Sequence, residues 1–204
     1  MQGSIKSGTA TKSIYVLAGG RSTRMGFPKI QLARNGTLVI LTMIELATIA
    51  GWKLGGVVIS DPTLIGWFEI NLPNVKRIMN NQPETGPIGS LRLAIDSTND
   101  NDTGLLAWPI DHPLVGADAL RRIWNVAEPS NTVIPCFEKR RGHPTWWGKA
   151  SWNALNSSLA DEGANRIIKS GLVTVNEVDV DDPGVVTNID TVEAATLNAL
   201  KRFE

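Results

Sequence analysis

Short, continuous apolar runs alternate along the chain with longer segments whose apolar positions recur every three or four residues. "SIYVLAG" (13–19) is apolar throughout and runs into glycines, which predicts a buried strand followed by a turn. Residues 37–52 read as a largely apolar helix stopped by Gly51, and 55–60 as a second strand closed by Asp61-Pro62. A short helix over 63–71, a strand over 74–80 and a helix over 86–97, opened by Gly86-Pro87, follow. Residues 103–111 read as a strand ending in Asp111, and 115–128 as an amphipathic helix with Leu120, Ile123 and Trp124 on one face. After a strand at 131–138 the alternation loosens. "HPTWWG" is extended, two short helices occupy 152–171, a strand covers 173–180, and a helix over 190–203 closes the chain.

Strands without an exposed polar face, alternating with helices, predict an α/β fold: a Rossmann-like, mostly parallel sheet flanked by helices on both faces. Residues 13–204 read as a single domain with an excursion near 139–175, and residues 1–12 as a disordered tail. Ligands of such sheets sit at the carboxyl ends of the strands, which puts Gly19, Gly20 and Asp111 on one edge.

Composition narrows the function classes. The 204 residues hold 20 Lys+Arg and 20 Asp+Glu, so no net field favours nucleic acid or a membrane surface. The one cysteine, Cys136, excludes an internal disulfide and a cysteine zinc cage, and its strand setting reads as a core thiol. The opening residues lack the apolar core of an export signal and no run approaches a membrane span, so a cytoplasmic protein is expected.

The densest chemistry lies in "LAGGRSTRMGFPK" (17–29). Gly19 and Gly20 let backbone approach a ligand, and successive N–H groups in such a turn make an anion-binding nest. Arg21, Arg24 and Lys29 add fixed charge, a combination that suits a triphosphate. The spacing is neither the Walker pattern nor the dinucleotide fingerprint: five residues separate Gly20 from Gly26, and Lys29 lies three further on. Asp111, after an apolar run, is placed either for Mg²⁺ or as a turn-forming residue. His112 is expected to face away from Asp111 along the same strand. With His143 31 residues further on and no cysteine cluster, the two histidines give little support for zinc. Of seven tryptophans, the consecutive Trp146 and Trp147 suit a core or dimer contact better than an aromatic platform. The acidic run 177–184 lacks the oxygen spacing of a calcium loop and reads as a strand end and turn.

The 17–29 loop closely resembles the signature Leu-Ala-Ala/Gly-Gly-x-Ser-x-Arg-Met-Gly-x-x-Lys of the MobA-like nucleotidyltransferases, which include the enzymes that attach CMP or GMP to molybdopterin. "ETGPIGSLRLAI", "WPIDHPLV", "RRGHPTWWG", "DEGANRII" and "TNIDTVEAA" are similar, in order, to later motifs of that family, and the likeness spans residues 15–195.

The resemblance implies a fold of the nucleotide-diphospho-sugar transferase type. It also implies a Mg²⁺-dependent reaction in which an acceptor phosphate attacks the α-phosphorus of an NTP and pyrophosphate leaves. Arg24 would hold the β- and γ-phosphates, Lys29 the charge growing near the α-phosphate, and Asp111 the metal. Leu17, Ala18 and Gly19 would present backbone to the base. Gly20, Arg21, Ser22 and Gly26, with Gly86, Gly89 and Ser90 of a second loop opening a helix, would complete the nucleotide site. Asn188 and Asp190 are candidates for the second metal contact. The family often has Asp at the Asn188 position, and Asp190 suits a helix N-cap, with Glu193 three residues later, equally well. Arg141 and His143 lie in a segment that either touches the acceptor or only shapes its cleft.

The motifs divide on the base. "LAGG" and "GPIG" resemble the guanylyltransferases, while "RGHP", "DEGANRII" and "IDT" resemble the cytidylyltransferases and tilt the expectation to CTP over GTP. The implied partners are that NTP and a phosphorylated acceptor, molybdopterin foremost, with transient contact to a molybdoenzyme or its chaperone. The same loops would serve a sugar- or alcohol-phosphate acceptor. Asn188 and the ending "TVEAA" also allow a nucleotide-binding protein without transferase activity.

Overall fold

The computed structural model describes residues 9–20 and 22–203; residues 1–8, which hold most of the expected tail, and Arg21 lie outside the described residues. In chain order the elements are β1 (Thr11–Ala18), β2 (Leu32–Arg34), β3 (Thr37–Leu38), α1 (Val39–Ile49), β4 (Lys53–Ile59), α2 (Ile65–Asn71), β5 (Arg77–Met79), α3 (Gly86–Asp96) and β6 (Asp102–Pro109). There follow α4 (Ala117–Val126), β7 (Asn131–Phe137), β8 (Arg140–Arg141), β9 (Thr145–Gly148), α5 (Trp152–Leu155), α6 (Ala164–Ser170), β10 (Thr174–Asp179), α7 (Val192–Leu197) and β11 (Lys201–Arg202).

The main sheet has the order β10-β7-β9-β6-β1-β4-β5, with β8 paired to β7. β1 lies parallel to β4 and β6, β4 parallel to β5, and β7 parallel to β10. β9 is the exception. It runs antiparallel between β6 and β7, pairing Trp146 with both Leu106 and Val133. The expected 139–175 excursion therefore starts by doubling back into the sheet before it supplies α5 and α6.

The strict period of two splits the core into layers on the two faces. Ile14, Val16, Val57, Leu106, Trp108 and Trp146 pack with α1, α2 and α4. Tyr15, Val58, Leu105, Ala107 and Trp147 pack with α3, α5 and α6. This is why the strands read as uninterrupted apolar runs: both faces are covered. Trp146 and Trp147 point to opposite faces and both are buried, so neither faces out. Trp52 links Trp124 and Trp146 in an aromatic cluster, with centroids 4.9 and 5.6 Å away.

Of the boundaries that differ from the reading above, three have a plain physical reason or bear on the site. β1 begins at Thr11, because Thr11 and Ser13 hydroxyls donate to the buried Asp102 carboxylate and hold the strand's start. β6 stops at Pro109, so Asp111 and His112 sit in a turn and not on the strand. The closing helix is confined to Val192–Leu197, and the chain then adds β11 to a small antiparallel sheet with β2 and β3. Among the described residues no helix is long and apolar enough to cross a membrane.

Candidate active site

The loop from Gly19 to Lys29 leaves the carboxyl end of β1 and turns back on itself. Ser22 (φ 49°) and Gly26 (φ 72°) occupy the left-handed region, the Met25 N–H donates to the Ser22 carbonyl, and buried Met25 pins the turn to the core. The Lys29 N–H donates to Ser22 Oγ at 3.2 Å. At Gly19 the second loop comes close: a Cβ there would lie 2.6 Å from Ser90 Oγ. The absence of a side chain thus lets β1's turn touch the start of α3. Among the charged residues of the loop, Arg21 lies outside the described residues.

Lys29 is the centre of the cluster. Its side chain is only 10% exposed, and its Nζ lies 3.7 Å from Asp111 Oδ2 and donates to Asp190 Oδ1. Arg24 reaches the other Asp190 oxygen at 2.6 Å. Burial alone would raise the Asp190 carboxyl, but hydrogen bonds and charge from Lys29 and Arg24 outweigh it and hold it below the usual carboxylate range. Asp190 is not the cap of α7; Thr191 Oγ1 accepts from the Ala194 N–H and fills that role. The Asn188–Asp190 stretch is fastened to the Asp111 turn by the Ile189 N–H, which donates to the Asp111 carbonyl at 2.7 Å.

A cleft of about 300 Å³ opens between these parts, lined by Leu17, Gly19, Gly20, Ser22, Lys29, Gly86, Ser90 and Asp111. Seven of the expected loop residues, Leu17, Gly19, Gly20, Ser22, Lys29, Gly86 and Ser90, thus line one cavity with Asp111, and Arg24 and Gly89 do not line it. Ala18 and Gly26 line the outer side of the same loop. Gly89 sits behind, where a side chain would collide with Thr85.

Asn80 was missed by sequence reasoning as an individual residue. Buried at the end of β5, it accepts from the Gln82 N–H and donates to Ser90 Oγ at 3.2 Å, joining the second loop to α3. Its signal was an Asx turn in "NNQP".

The cleft continues, past Leu17, Pro87 and Pro109, into a larger one of about 600 Å³. Its lining includes Ile88, Leu91, Ile134 and Trp147, with Arg141 and His143 among its polar residues. Arg141 is paired with Glu177 at 2.5 Å, and that hydrogen bond draws the Glu177 carboxyl down. Cys136 lies beside Glu177; burial first, then that carboxylate, push its thiol up to about 11, the behaviour of a core thiol.

His112 does not face away from Asp111. In the turn after β6 its Nε2 lies 4.0 Å from Asp111 Oδ1, and its ring meets that of His143 at 4.8 Å. Burial lowers the pKa of His112, and burial together with His112 lowers His143 to about 4, so the His143 ring is neutral at pH 7.

The residues present suit a hard divalent cation shared with phosphate. Asp111 Oδ1 is buried without a hydrogen-bond partner, and oxygen is the donor Mg²⁺ prefers. Among the described residues no three His, Cys, Asp or Glu side chains gather into a site of their own.

Comparison with known proteins follows the same lines. The molybdenum cofactor guanylyltransferase of Xanthomonas euvesicatoria pv. vesicatoria (strain 85-10) is 35% identical over 123 residues, covering 60% of this chain and 57% of that protein. The chain thus matches just over half the length of that curated relative. Rv0371c from Mycobacterium tuberculosis H37Rv superposes with a TM-score of 0.76 at 23% identity, covering 94% of this chain and 99% of that one. Its manganese complex superposes at 0.67, again at 23% identity, over 85% and 89%. These likenesses give the fold, a mostly parallel sheet flanked by helices as expected above. The family model described as MobA-like NTP transferase domain matches residues 14–178, and the chain belongs to that family.

Proposed function

We propose that this protein transfers a nucleoside monophosphate from an NTP to a phosphorylated acceptor, molybdopterin foremost, releasing pyrophosphate. The observation that carries the reading is the meeting of Lys29 and Asp111, 3.7 Å apart, at a cleft walled by the Gly19–Gly20 turn and the start of α3. Here the triphosphate lies along the 19–29 backbone, with Arg24 and Lys29 on its oxygens. Lys29, almost out of solvent, opposes the negative charge that grows at the α-phosphate in the transition state. The amino-terminal end of α3 adds a positive dipole end.

Asp111, with Asn188 or Asp190, would hold Mg²⁺. The ion would neutralise phosphate charge and align the leaving pyrophosphate. The manganese bound by the Rv0371c protein favours a divalent ion of this kind.

The larger cleft takes the acceptor. Trp147 and the neighbouring aliphatic residues offer a flat apolar surface, and Arg141 and neutral His143 offer donors near its rim. No protein nucleophile is needed, since the acceptor phosphate itself attacks. Arg21 and Gly26 of the first loop, Ala18 at the end of β1 and Gly89 in the first turn of α3 complete the nucleotide site. The name of the Xanthomonas relative favours GTP, whereas the "RGHP" and "DEGANRII" motifs favour CTP. The reaction belongs in the cytoplasm, where nucleoside triphosphates are supplied.

Pyrophosphate release, measured with GTP, CTP, ATP and UTP against molybdopterin and a panel of sugar and alcohol phosphates, tests the reading. Turnover with Mg²⁺ and molybdopterin, using GTP or CTP, is expected. NTP binding without turnover on any acceptor would leave only a nucleotide-binding protein, and turnover confined to sugar phosphates would move the acceptor class.

A further inference from the structure

Both oxygens of the Asp190 carboxylate are already engaged by the two cations that the proposed function gives to the triphosphate: Oδ1 by Lys29 and Oδ2 by Arg24 at 2.6 Å. Arg24 is otherwise a surface side chain, 68% exposed, yet its guanidinium is turned back onto Asp190. Asp111 Oδ2 lies 3.7 Å from the same ammonium, and Asp111 Oδ1 has no hydrogen-bond partner. Two cations and two carboxylates therefore cancel. Among the described residues, a polyphosphate entering this cluster meets no net positive charge and has to displace Asp190 from each cation in turn.

We propose that Asp190 is an internal counter-anion that occupies the triphosphate's cations until a divalent ion binds, and thereby makes nucleotide and cation binding cooperative. The proposal rests on the nucleotide reading of this cleft. Asp190 is within reach of the Asp111 turn because Ile189 is hydrogen-bonded to that turn. With a divalent ion on Asp111, the Asp190 carboxylate would turn towards that ion and leave Arg24 and Lys29 to phosphate. Without the cation, Asp190 competes with phosphate and keeps the two long side chains ordered. Coupling of this kind is reciprocal: nucleotide raises cation affinity by the factor by which the cation raises nucleotide affinity. A residue that merely ligates the metal gives a different pattern, since its loss weakens binding only when the metal is present.

The test is calorimetric titration of GTP and of CTP into the full chain, with EDTA and with excess Mg²⁺, for wild type and Asp190→Asn, with Asp190→Ser as a second variant. Removal of one competing carboxylate from two cations is expected to tighten nucleotide binding in EDTA about 3- to 10-fold, the range set by ion pairs of partial exposure. The gain on adding Mg²⁺ is expected to shrink at least as much. Unchanged or weaker binding in EDTA by both variants, with wild type binding normally in Mg²⁺, overturns the proposal and leaves the nucleotide reading standing. Failure of wild type to bind either nucleotide in Mg²⁺ overturns both. Asp190 is on an irregular segment capped independently by Thr191, so the variants are expected to fold, and circular dichroism melts check this.

Discussion

Lys29 Nζ and Asp111 Oδ2 stand 3.7 Å apart although they come from loops after different strands, β1 and β6. The parallel pairing of these two strands, with Leu17 opposite Pro109, brings both loops to one edge of the sheet. The Ile110 N–H donating to the Leu17 carbonyl extends that register into the turn. A cation for phosphate and an acid for a metal are thus set facing each other by backbone register.

Replacement of Lys29 by Ala should lower kcat roughly 10²–10³-fold, the usual cost of one preorganised group acting on transition-state charge. Lys29→Arg should recover little of this, because a planar guanidinium does not fit a buried point-charge position. Pyrophosphate release under saturating nucleotide measures both, and activity within a few-fold of wild type would remove Lys29 from the role.

Asp111→Asn should weaken Mn²⁺ binding by at least roughly 10-fold, the lower end of the loss that follows even from removing a residue that only supports a ligand. The free Mn²⁺ signal in electron paramagnetic resonance reports this directly, with nucleotide present. Folding should be preserved, since the turn is held by the Asp111 backbone carbonyl and not by its side chain.

Gly142→Ala should destabilise the protein by about 1–3 kcal/mol, the range for forcing extra volume into packed structure. A Cβ there would fall 2.2 Å from the Val185 carbonyl oxygen, on backbone that also accepts the His143 N–H. The strap 182–190 would shift with it, so KM for the acceptor should rise as Tm falls. Urea unfolding and steady-state kinetics test the two parts separately.

The buried histidine pair makes stability depend on pH with a fixed sign. His143 keeps a pKa of about 4 in the fold against 6.5 ordinarily. Between those values the unfolded chain takes up a proton that the folded chain refuses. Stability is therefore unaffected above pH 6.5 and falls as pH drops towards 4, with a slope of up to about 1.4 kcal/mol per pH unit for one imidazole. His143→Gln should flatten that slope; equal slopes in urea titrations of both proteins would show that His143 is not the source.

What sequence could show, and what it could not, follows from the range of the interactions. Strands such as residues 13–19 and the glycine turn after them are written locally, in apolar continuity and in residues that permit close approach. The direction of a strand is not, and the insertion of β9 antiparallel between β6 and β7 had no local mark. The apolar run continues to Ile110 and so predicts a strand ending at Asp111, yet the ladder stops at Pro109. With that turn unseen, His112 was given the wrong side and its contact with His143 stayed hidden. The capping pattern at Asp190 fitted a local rule, but Lys29 and Arg24, more than 160 positions away, claim the carboxylate.

The most direct test is a crystal structure with GTP or CTP and Mn²⁺, read for the anomalous manganese peak and for the phosphate positions. The account expects the metal on Asp111, the triphosphate along residues 19–29, and Lys29 Nζ within hydrogen-bond distance of an α-phosphate oxygen. Phosphates bound away from that loop, or manganese bound away from Asp111, would contradict it.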